Sequence, residues 1–432
     1  MSRLSRKSLE KVVGGLLGNQ YRSLSSLPDR LTLEKDETFT SSEMEMKELP
    51  HGRMGSREWV ERQEYVHGSL LDALRADHGG LGFGRVFSDH MMTVKHQHDV
   101  WSRPVITSLK PVELHPASQV LHYGMSCFEG LKVYRHGRDP DVIQFFRPML
   151  NMERLLRSAT RLHLPSFCPR ELLECIRELV RMDGGWVPRE RGQSLYIRPV
   201  LYSSSDMLGV SSPRESFLNV IMSPSGNYFG KNMNAPIRVY VEEEYTRAWP
   251  GGAGDAKVSG NYAPTIYPQA LAKEKFGADQ VVFTSSFEDG LNFEECGAMN
   301  IFFIFQHDDG RVEVATPPLL GTILPGVTRQ SIIEIVKEWS RQDDGVFVSE
   351  RRVSVDDVRR AAASNSLLEM FACGTASVVQ PIGALIRGNG EEIVPERPHG
   401  TVTSRIYNAL VDIQHGMNTN PVFDSWTVPV YR

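Results

Sequence analysis

The sequence predicts an α+β fold, with strands in clusters and helices between the clusters. Three observations support this. Apolar and polar residues alternate at 194–203, 217–222, 237–241, 279–284, 299–305 and 312–315, as in half-buried strands. Apolar residues recur at helical spacing at 152–162, 170–182 and 329–342, where Ile332, Ile335, Val336 and Trp339 share one face. A doubly wound sheet would interleave the two patterns regularly, whereas here they group.

The chain opens on a distinct segment. Residues 1–28 hold Arg3, Arg6, Lys7, Lys11 and Arg22, many serines and one acid, Glu10, with Val12, Val13, Leu16 and Leu17 able to form an apolar face. This is the composition of a mitochondrial transit segment; a basic tail on a cytoplasmic protein is the alternative. Residues 29–80 form a polar extension with solvated stretches at 43–47 and 61–64 and one expected helix at 70–77. Compact structure is expected from Leu81: a small α+β domain over 81–226, an interdomain linker at 227–236 within the turn-rich stretch 223–236, and a larger domain over 237–432. Asp356 and Asp357, after Ser354, mark a helix start, and 401–415 reads as the last helix.

Composition excludes several classes. The chain has 432 residues, 23% of them charged, and a net charge of −5, which gives no basic footprint for nucleic acid. The most apolar stretch, 299–305, is strand-sized and broken by Asn300, so no membrane span is expected. Cys127, Cys168, Cys175, Cys296 and Cys373 are scattered and form no CxxC pair, so neither a zinc site nor a disulfide framework is expected. His90, His96 and His98 with Asp99 invite a metal reading, but no further ligands sit at a set spacing, and no metal is expected.

The most unusual segment is Trp249-Pro-Gly-Gly-Ala-Gly-Asp-Ala-Lys257-Val-Ser-Gly-Asn-Tyr262. Its glycines let backbone run close to something bulky, and one lysine sits among them. A Walker A loop is excluded, because Ala256 and Val258 flank the lysine. A solvated surface loop is one reading. The other is a lysine in a dry pocket that condenses with a carbonyl. A pyridoxal site would also need a carboxylate for the ring nitrogen, a phosphate cup and a donor to the ring oxygen. Glu295, before an apolar strand, would suit the first need or be a plain surface acid. Pro325-Gly-Val-Thr328 precedes a helix whose free N–H groups suit phosphate, though Thr328 would serve equally as a simple cap. Cys373-Gly-Thr-Ala376 is a small-residue turn and a second anion nest, and Arg154 would add a charge.

These motifs occur together and in order. From Leu81 onward the chain resembles the branched-chain amino-acid aminotransferases, pyridoxal-phosphate enzymes of fold type IV. The resemblance rests on Phe83-Gly-Arg-Val-Phe-Ser-Asp-His-Met, His115-Pro-Ala-Ser, Leu121 to Lys132, Asn151-Met-Glu-Arg154, Ser194 to Pro199, Trp249 to Lys257, Gly260-Asn-Tyr262, Leu324 to Arg329 and Gly374-Thr-Ala376. It covers roughly four fifths of the chain. It implies two α/β domains, a small N-terminal and a larger C-terminal one, with the active site between them, and a homodimer.

The same resemblance implies residue roles. Lys257 would carry pyridoxal 5'-phosphate and later move the proton. Tyr262 would donate to the ring oxygen and Glu295 would pair with the ring nitrogen. Arg154, Val327, Thr328 and Thr375 would hold the phosphate. Thr375 and Ala376 would meet the substrate carboxylate. Phe83, Tyr123, Phe128, Tyr196 and Tyr228 would line an apolar side-chain pocket for leucine, isoleucine and valine. Leu208 and Val210 would reach the neighbouring subunit's site, and Arg198 would take the distal carboxylate of glutamate or 2-oxoglutarate. The partners are thus small amino acids and 2-oxo acids, exchanged by ping-pong kinetics.

The chain departs from the pattern in places. Ser377 and Gln380 stand where some vertebrate members have a redox Cys-x-x-Cys pair, so that switch is expected to be absent. Ala298 replaces a threonine found in some relatives. The arm before Leu81 has no explained role. Other fold type IV activities, D-amino-acid transamination or aminodeoxychorismate lysis, are the alternatives on the same fold, and a pyridoxal-binding protein without turnover is the alternative of another class.

Overall fold

The computed structural model describes residues 61–62, 81–226, 235–287, 290–342, 345–398 and 400–431. The transit-like segment, the helix expected at 70–77, most of the expected linker and Tyr228 lie outside the described residues. The described residues all belong to one compact unit, Leu49–Arg432.

Two sheets organise that unit. The first runs Glu61–Arg62, Val105–Ser108, His90–Gln97, Glu215–Ser225, Ser194–Ser203, Leu131–Arg135, Ile143–Phe146 and Thr427–Pro429, with Val100–Trp101 and Ser126–Phe128 paired alongside. Its main pairings are antiparallel, which hairpins allow without crossover helices. Helices Pro148–Arg161 and Pro169–Met182 cover one face, each with proline in its first turn, where the missing N–H costs nothing. Leu155, Ala159, Leu172, Ile176 and Leu179 bury against Val133, Leu195 and Leu218. Each such large side chain contributes roughly 1.5–3 kcal/mol of hydrophobic stabilisation.

The second sheet runs Gly290–Cys296, Gln280–Phe287, Ile237–Glu242, Val378–Ile386, Leu367–Gly374, Met299–Gln306, Val312–Thr316 and Val346–Glu350. A further pairing of Gly290–Cys296 with Met299–Gln306 joins the first strand of this order to the sixth and closes a ring. Both faces of the ring strands are covered. Along 299–306, Ile301, Phe303 and Phe305 enter one core while Phe302 and Ile304 enter the other, packed against helices Val327–Arg341 and Thr401–Gln414. That double burial explains the continuous apolar run seen in the sequence. Asn300 interrupts the run because it lies at the strand's open end, where Nδ2 donates to the Leu324 carbonyl at 3.0 Å.

Local signals set the remaining boundaries. Ser354 caps helix Val355–Ala363: its Oγ accepts from the Asp357 amide at 3.0 Å and Asp357 accepts from the Ser354 amide at 3.2 Å. Helix Thr401–Gln414 has no cap of its own. Glu369, from the neighbouring strand, instead accepts from the Val402 and Thr403 amides at 3.1 and 2.7 Å. Gly400 makes this possible, since a Cβ there would lie 1.7 Å from the Glu369 carboxyl carbon. Gly400→Ala is therefore expected to expel Glu369 and lower stability by about 1–3 kcal/mol in urea denaturation. An unchanged midpoint would show that Glu369 is not the cap.

Candidate active site

Where the ring's open end meets the first sheet lies a cavity of ≈ 280 Å³. Two hairpin ends of the second sheet open into it. One is Glu295 to Asn300, with Glu295 opposite Asn300 across the ladder. The other is Gly374 to Val378, the turn that carries Thr375 and Ala376.

Lys257 lies on the loop between Ile237–Glu242 and the short helix Ser259–Asn261, pinned against the first sheet. Its amide donates to Ser158 Oγ at 2.8 Å and its carbonyl accepts from the Phe128 amide at 3.1 Å. Flanking Ala256 and Val258 are buried in the first core. Backbone and neighbours are thus pinned, and only the side chain projects. Its Nζ donates to the Tyr262 hydroxyl at 2.9 Å and lies 4.7 Å from the centre of the Phe128 ring. The glycine-rich stretch before it makes the close approach its composition suggested: a Cβ on Gly254 would fall 2.4 Å from the Thr322 carbonyl oxygen. Asn261 ties that loop shut by donating to the Ala253 and Ala256 carbonyls at 2.7 and 2.9 Å.

Glu295 faces the cavity and is 2% exposed. It pairs with Arg247 at 2.6 Å and accepts from the Leu324 amide at 2.9 Å. Burial pushes its carboxyl up to about 7, against the pull of Arg247, the Leu324 amide and Lys257, which favour the charged form. A carboxylate this poised would be stabilised by another cation, such as a protonated ring nitrogen.

The opposite end suits an anion. Val327 and Thr328 begin helix Val327–Arg341, whose first turn has no side-chain cap and no acid, so free N–H groups and the positive helix end face the cavity. Arg154 and Thr375 border the same end. Arg154 is held in a buried fork, with Nε and Nη2 donating to Glu129 at 2.6 and 2.9 Å and Nη1 to the Pro325 carbonyl at 2.9 Å. Burial would raise the Glu129 carboxyl, but the Arg154 charge, with hydrogen bonds from Arg154 and Asn151, holds it below its ordinary value.

The side-chain wall is aromatic. Phe83 and Tyr196 meet edge to face at 4.8 Å, and the Arg198 guanidinium lies 4.6 Å over Phe128 and 5.2 Å over Tyr196. Arg198 donates to the Tyr196 hydroxyl at 2.9 Å, and its buried Nε has no partner. All these residues border the cavity, as does Ala376.

Tyr123, Leu208 and Val210 do not line this chain's cavity. The Tyr123 hydroxyl donates to the Leu208 carbonyl, and Gln119 holds the same loop through the Gly209 carbonyl at 2.8 Å. Leu208 and Val210 project outward, 64% and 81% exposed. Ala298 borders the cavity, and Ser377 donates to Met299 Sδ at 3.2 Å. The histidines have other work. His98 and Asp99, at φ +53° and +61°, form the two-residue turn between His90–Gln97 and Val100–Trp101, and His96 meets the Trp101 ring. Among the described residues no group of three or more His, Cys, Asp or Glu side chains could hold a metal.

Glu129, Ser158, Arg247 and Lys132 carry no functional signal of their own in the sequence. Glu129 and Lys132 stood inside a quoted motif, but nothing in their spacing says that they are buried. Arg247, two residues before Trp249, had no signal at all.

Residues 126–385 match the class IV amino-transferase family. The chain is 42% identical over 359 residues to the cytosolic branched-chain-amino-acid aminotransferase of Ovis aries, covering 82% of this chain and 90% of that one. It is 41% identical to the mitochondrial branched-chain-amino-acid aminotransferase of Rattus norvegicus, covering 79% and 85%. A crystal structure of the branched-chain aminotransferase of the thermophilic archaeon Thermoproteus uzoniensis with norvaline aligns at a TM-score of 0.62 with 26% identity, over 79% of this chain and 100% of that one.

The Arg247–Glu295 pair makes a testable statement about pH. In the folded protein the Glu295 carboxyl already sits above its ordinary 4.5, and loss of Arg247 raises it further. The protonated form is then favoured on folding, so stability falls as pH rises through the raised value. Arg247→Met should cost cofactor-free protein about 3–5 kcal/mol at pH 8 and clearly less at pH 6. Urea unfolding at both pH values measures this, and equal deficits would rule out the ion pair as the cause.

Proposed function

The chain belongs to the class IV amino-transferases, within the branched-chain-amino-acid aminotransferases of fold type IV, and on that premise we propose how its cavity works. It moves amino groups reversibly between L-leucine, L-isoleucine or L-valine and 2-oxoglutarate, with pyridoxal 5'-phosphate carried on Lys257. The observation that carries this reading is one amine, Lys257 Nζ, bonded to the Tyr262 hydroxyl in a cavity with a buried carboxylate at one end and an anion cup at the other.

The residues present fit the cofactor. Glu295, raised to about 7 by burial, offers a carboxylate that gains from a protonated ring nitrogen. Arg154, Thr375 and the amides of Val327 and Thr328 offer a phosphate cup. When bound, pyridoxal phosphate supplies an electron sink for negative charge at the substrate α-carbon.

The protein's own groups do the rest. Lys257 Nζ holds the cofactor between turnovers. Once released by the substrate amine, Nζ would be the group that takes the α-proton and later gives it back, acting as base and then as acid. Tyr262, within bonding distance of Nζ, keeps that amine aimed and donates to the ring oxygen. Thr375 and Ala376 receive the α-carboxylate. Phe83, Phe128 and Tyr196 exclude water and accept an aliphatic side chain. Arg198 turns the same pocket toward 2-oxoglutarate, its unpartnered Nε being free for the distal carboxylate. Leu208 and Val210, exposed on a loop held by Tyr123 and Gln119, support a homodimer in which this loop reaches the second copy's site. Residues 1–28 favour import into mitochondria; the relatives include both a mitochondrial and a cytosolic enzyme.

Lys257→Ala is expected to lower turnover by about 10²–10⁴-fold or more and to abolish the covalent link. Borohydride reduction followed by peptide mapping tests the link, and cofactor fixed to any other residue would end the assignment. Arg198→Ala should reduce kcat/KM for 2-oxoglutarate by about 10–100-fold, the size of one charged hydrogen bond, and barely change that for the 2-oxo acid of leucine. Equal losses for both acids would remove Arg198 from the site.

A further inference from the structure

Beside the anion cup lies a small void of ≈ 10 Å³, bordered by Lys132, Asn151, Thr328, Thr375 and Gln414. That is about the space of one water. Lys132 stands on strand Leu131–Arg135 and is 3% exposed. Its Nζ donates to the Ala376 carbonyl at 3.0 Å. An ammonium carries three N–H donors, and this bond uses one. Across the void, Gln414 ends helix Thr401–Gln414 and is 4% exposed, and its Oε1 has no hydrogen-bond partner. A buried donor with protons to spare and a buried acceptor with none thus share a water-sized space. An orphaned polar atom is rare in a folded interior, so both point to the same occupant.

The turn that Lys132 touches is under constraint. Val378, directly after it, has φ +60°, a backbone that a β-branched residue scarcely adopts unless its surroundings compel it. Lys132 does not border the catalytic cavity, whereas Ala376 does. The bond therefore ties a residue of the cavity wall to a strand residue outside that lining.

We propose that Lys132, joined to Gln414 through one buried water, is a positioning residue that fixes the Thr375–Ala376 turn and so sets the affinity for substrate carboxylates. The proposal rests on the reading of that turn as the carboxylate site. Released from Lys132, the carbonyl would be free to rotate toward the cavity and present a negative dipole to the incoming acid. Charge supports the same role. Burial pushes the Lys132 ammonium down to about 7, and Tyr134, the titratable side chain bordering the void, is kept neutral because burial raises its phenol. An anion in the cavity would favour the charged lysine and tighten its bond to the turn.

The test uses holoenzyme and 4-methylpentanoate, an acid with no amino group, titrated against the visible band of the bound cofactor. Lys132→Met should weaken that acid by about 10–100-fold, raise KM for L-leucine and 2-oxoglutarate alike, and leave kcat within about 3-fold. Gln414→Leu, which removes only the water's acceptor, should act in the same direction by about 2–10-fold. Unchanged affinity in Gln414→Leu, or a loss in Lys132→Met confined to kcat, overturns the proposal. If Lys132→Met does not fold, Gln414→Leu decides alone. Thr375→Ala separates the two levels: if it leaves 4-methylpentanoate binding intact, the carboxylate reading of the turn falls. If it weakens binding and the Lys132 and Gln414 variants do not, only the positioning role falls.

Discussion

One buried ion pair holds the cavity together. Arg154, on the helix that covers the first sheet, forks onto Glu129 and reaches across to the Pro325 carbonyl, two residues before the helix of the anion cup. A single guanidinium thereby joins the two sheets where the cavity opens. Desolvating both ions costs several kcal/mol each, so the pair is poor evidence for stability by itself. The surroundings offset that cost: Asn151 and the Gly130 amide bond the second carboxylate oxygen, each at 3.0 Å. With every acceptor occupied, Arg154 presents its charge to the cavity in a fixed position.

The cavity needs this arrangement because its charges oppose one another over a short span. Arg154 and the helix start make one end positive. Glu295 makes the other end acidic, and Arg247 restrains it from behind. Lys257 lies between, against the rings of Phe128 and Tyr262. A ligand with a phosphate at one end and a basic nitrogen at the other satisfies both ends at once. Such a site discriminates by electrostatic complementarity before any chemistry begins, and its groups need little reorganisation when charge moves.

Much of this was legible in the sequence, because the signals were local. Ser354 with Asp357, the alternation at 194–203 and the apolar run at 299–305 each reflect interactions within a few residues or one repeating face. The short strands Ser126–Phe128 and Ile143–Phe146 carry too few residues to show a period. Helix Ile266–Phe276 hides for another reason: Ile266 and Tyr267 are exposed, and Pro268 and Ala272 make up its buried set, so no apolar stripe exists to read. At the site, residues in a recognisable motif were found, whereas Arg247 and Lys132 matter only through partners 48 and 244 positions away. Distance in sequence, rather than weakness of the interaction, is what concealed them. Tyr123, Leu208 and Val210 mark the converse limit, since a motif names residues without saying on which side of a loop they face.

The aromatic wall bears on the proposal that one pocket admits both an aliphatic and an acidic side chain. A lysine at position 198 would be a compact, strongly hydrated charge and would drive leucine out. A guanidinium is flat and weakly hydrated, and here it lies over Phe128 and Tyr196 with one edge bonded to the Tyr196 hydroxyl. Its π-face gains from the rings whether or not an anion is present. In the role proposed for Arg198, the arginine would stay stacked beside an aliphatic ligand, while its unpartnered Nε would supply the counter-charge to a dicarboxylate. On that proposal the pocket would need no second conformation to change substrates. That suits a reaction in which the two classes of acid must occupy the same space in alternate half-cycles.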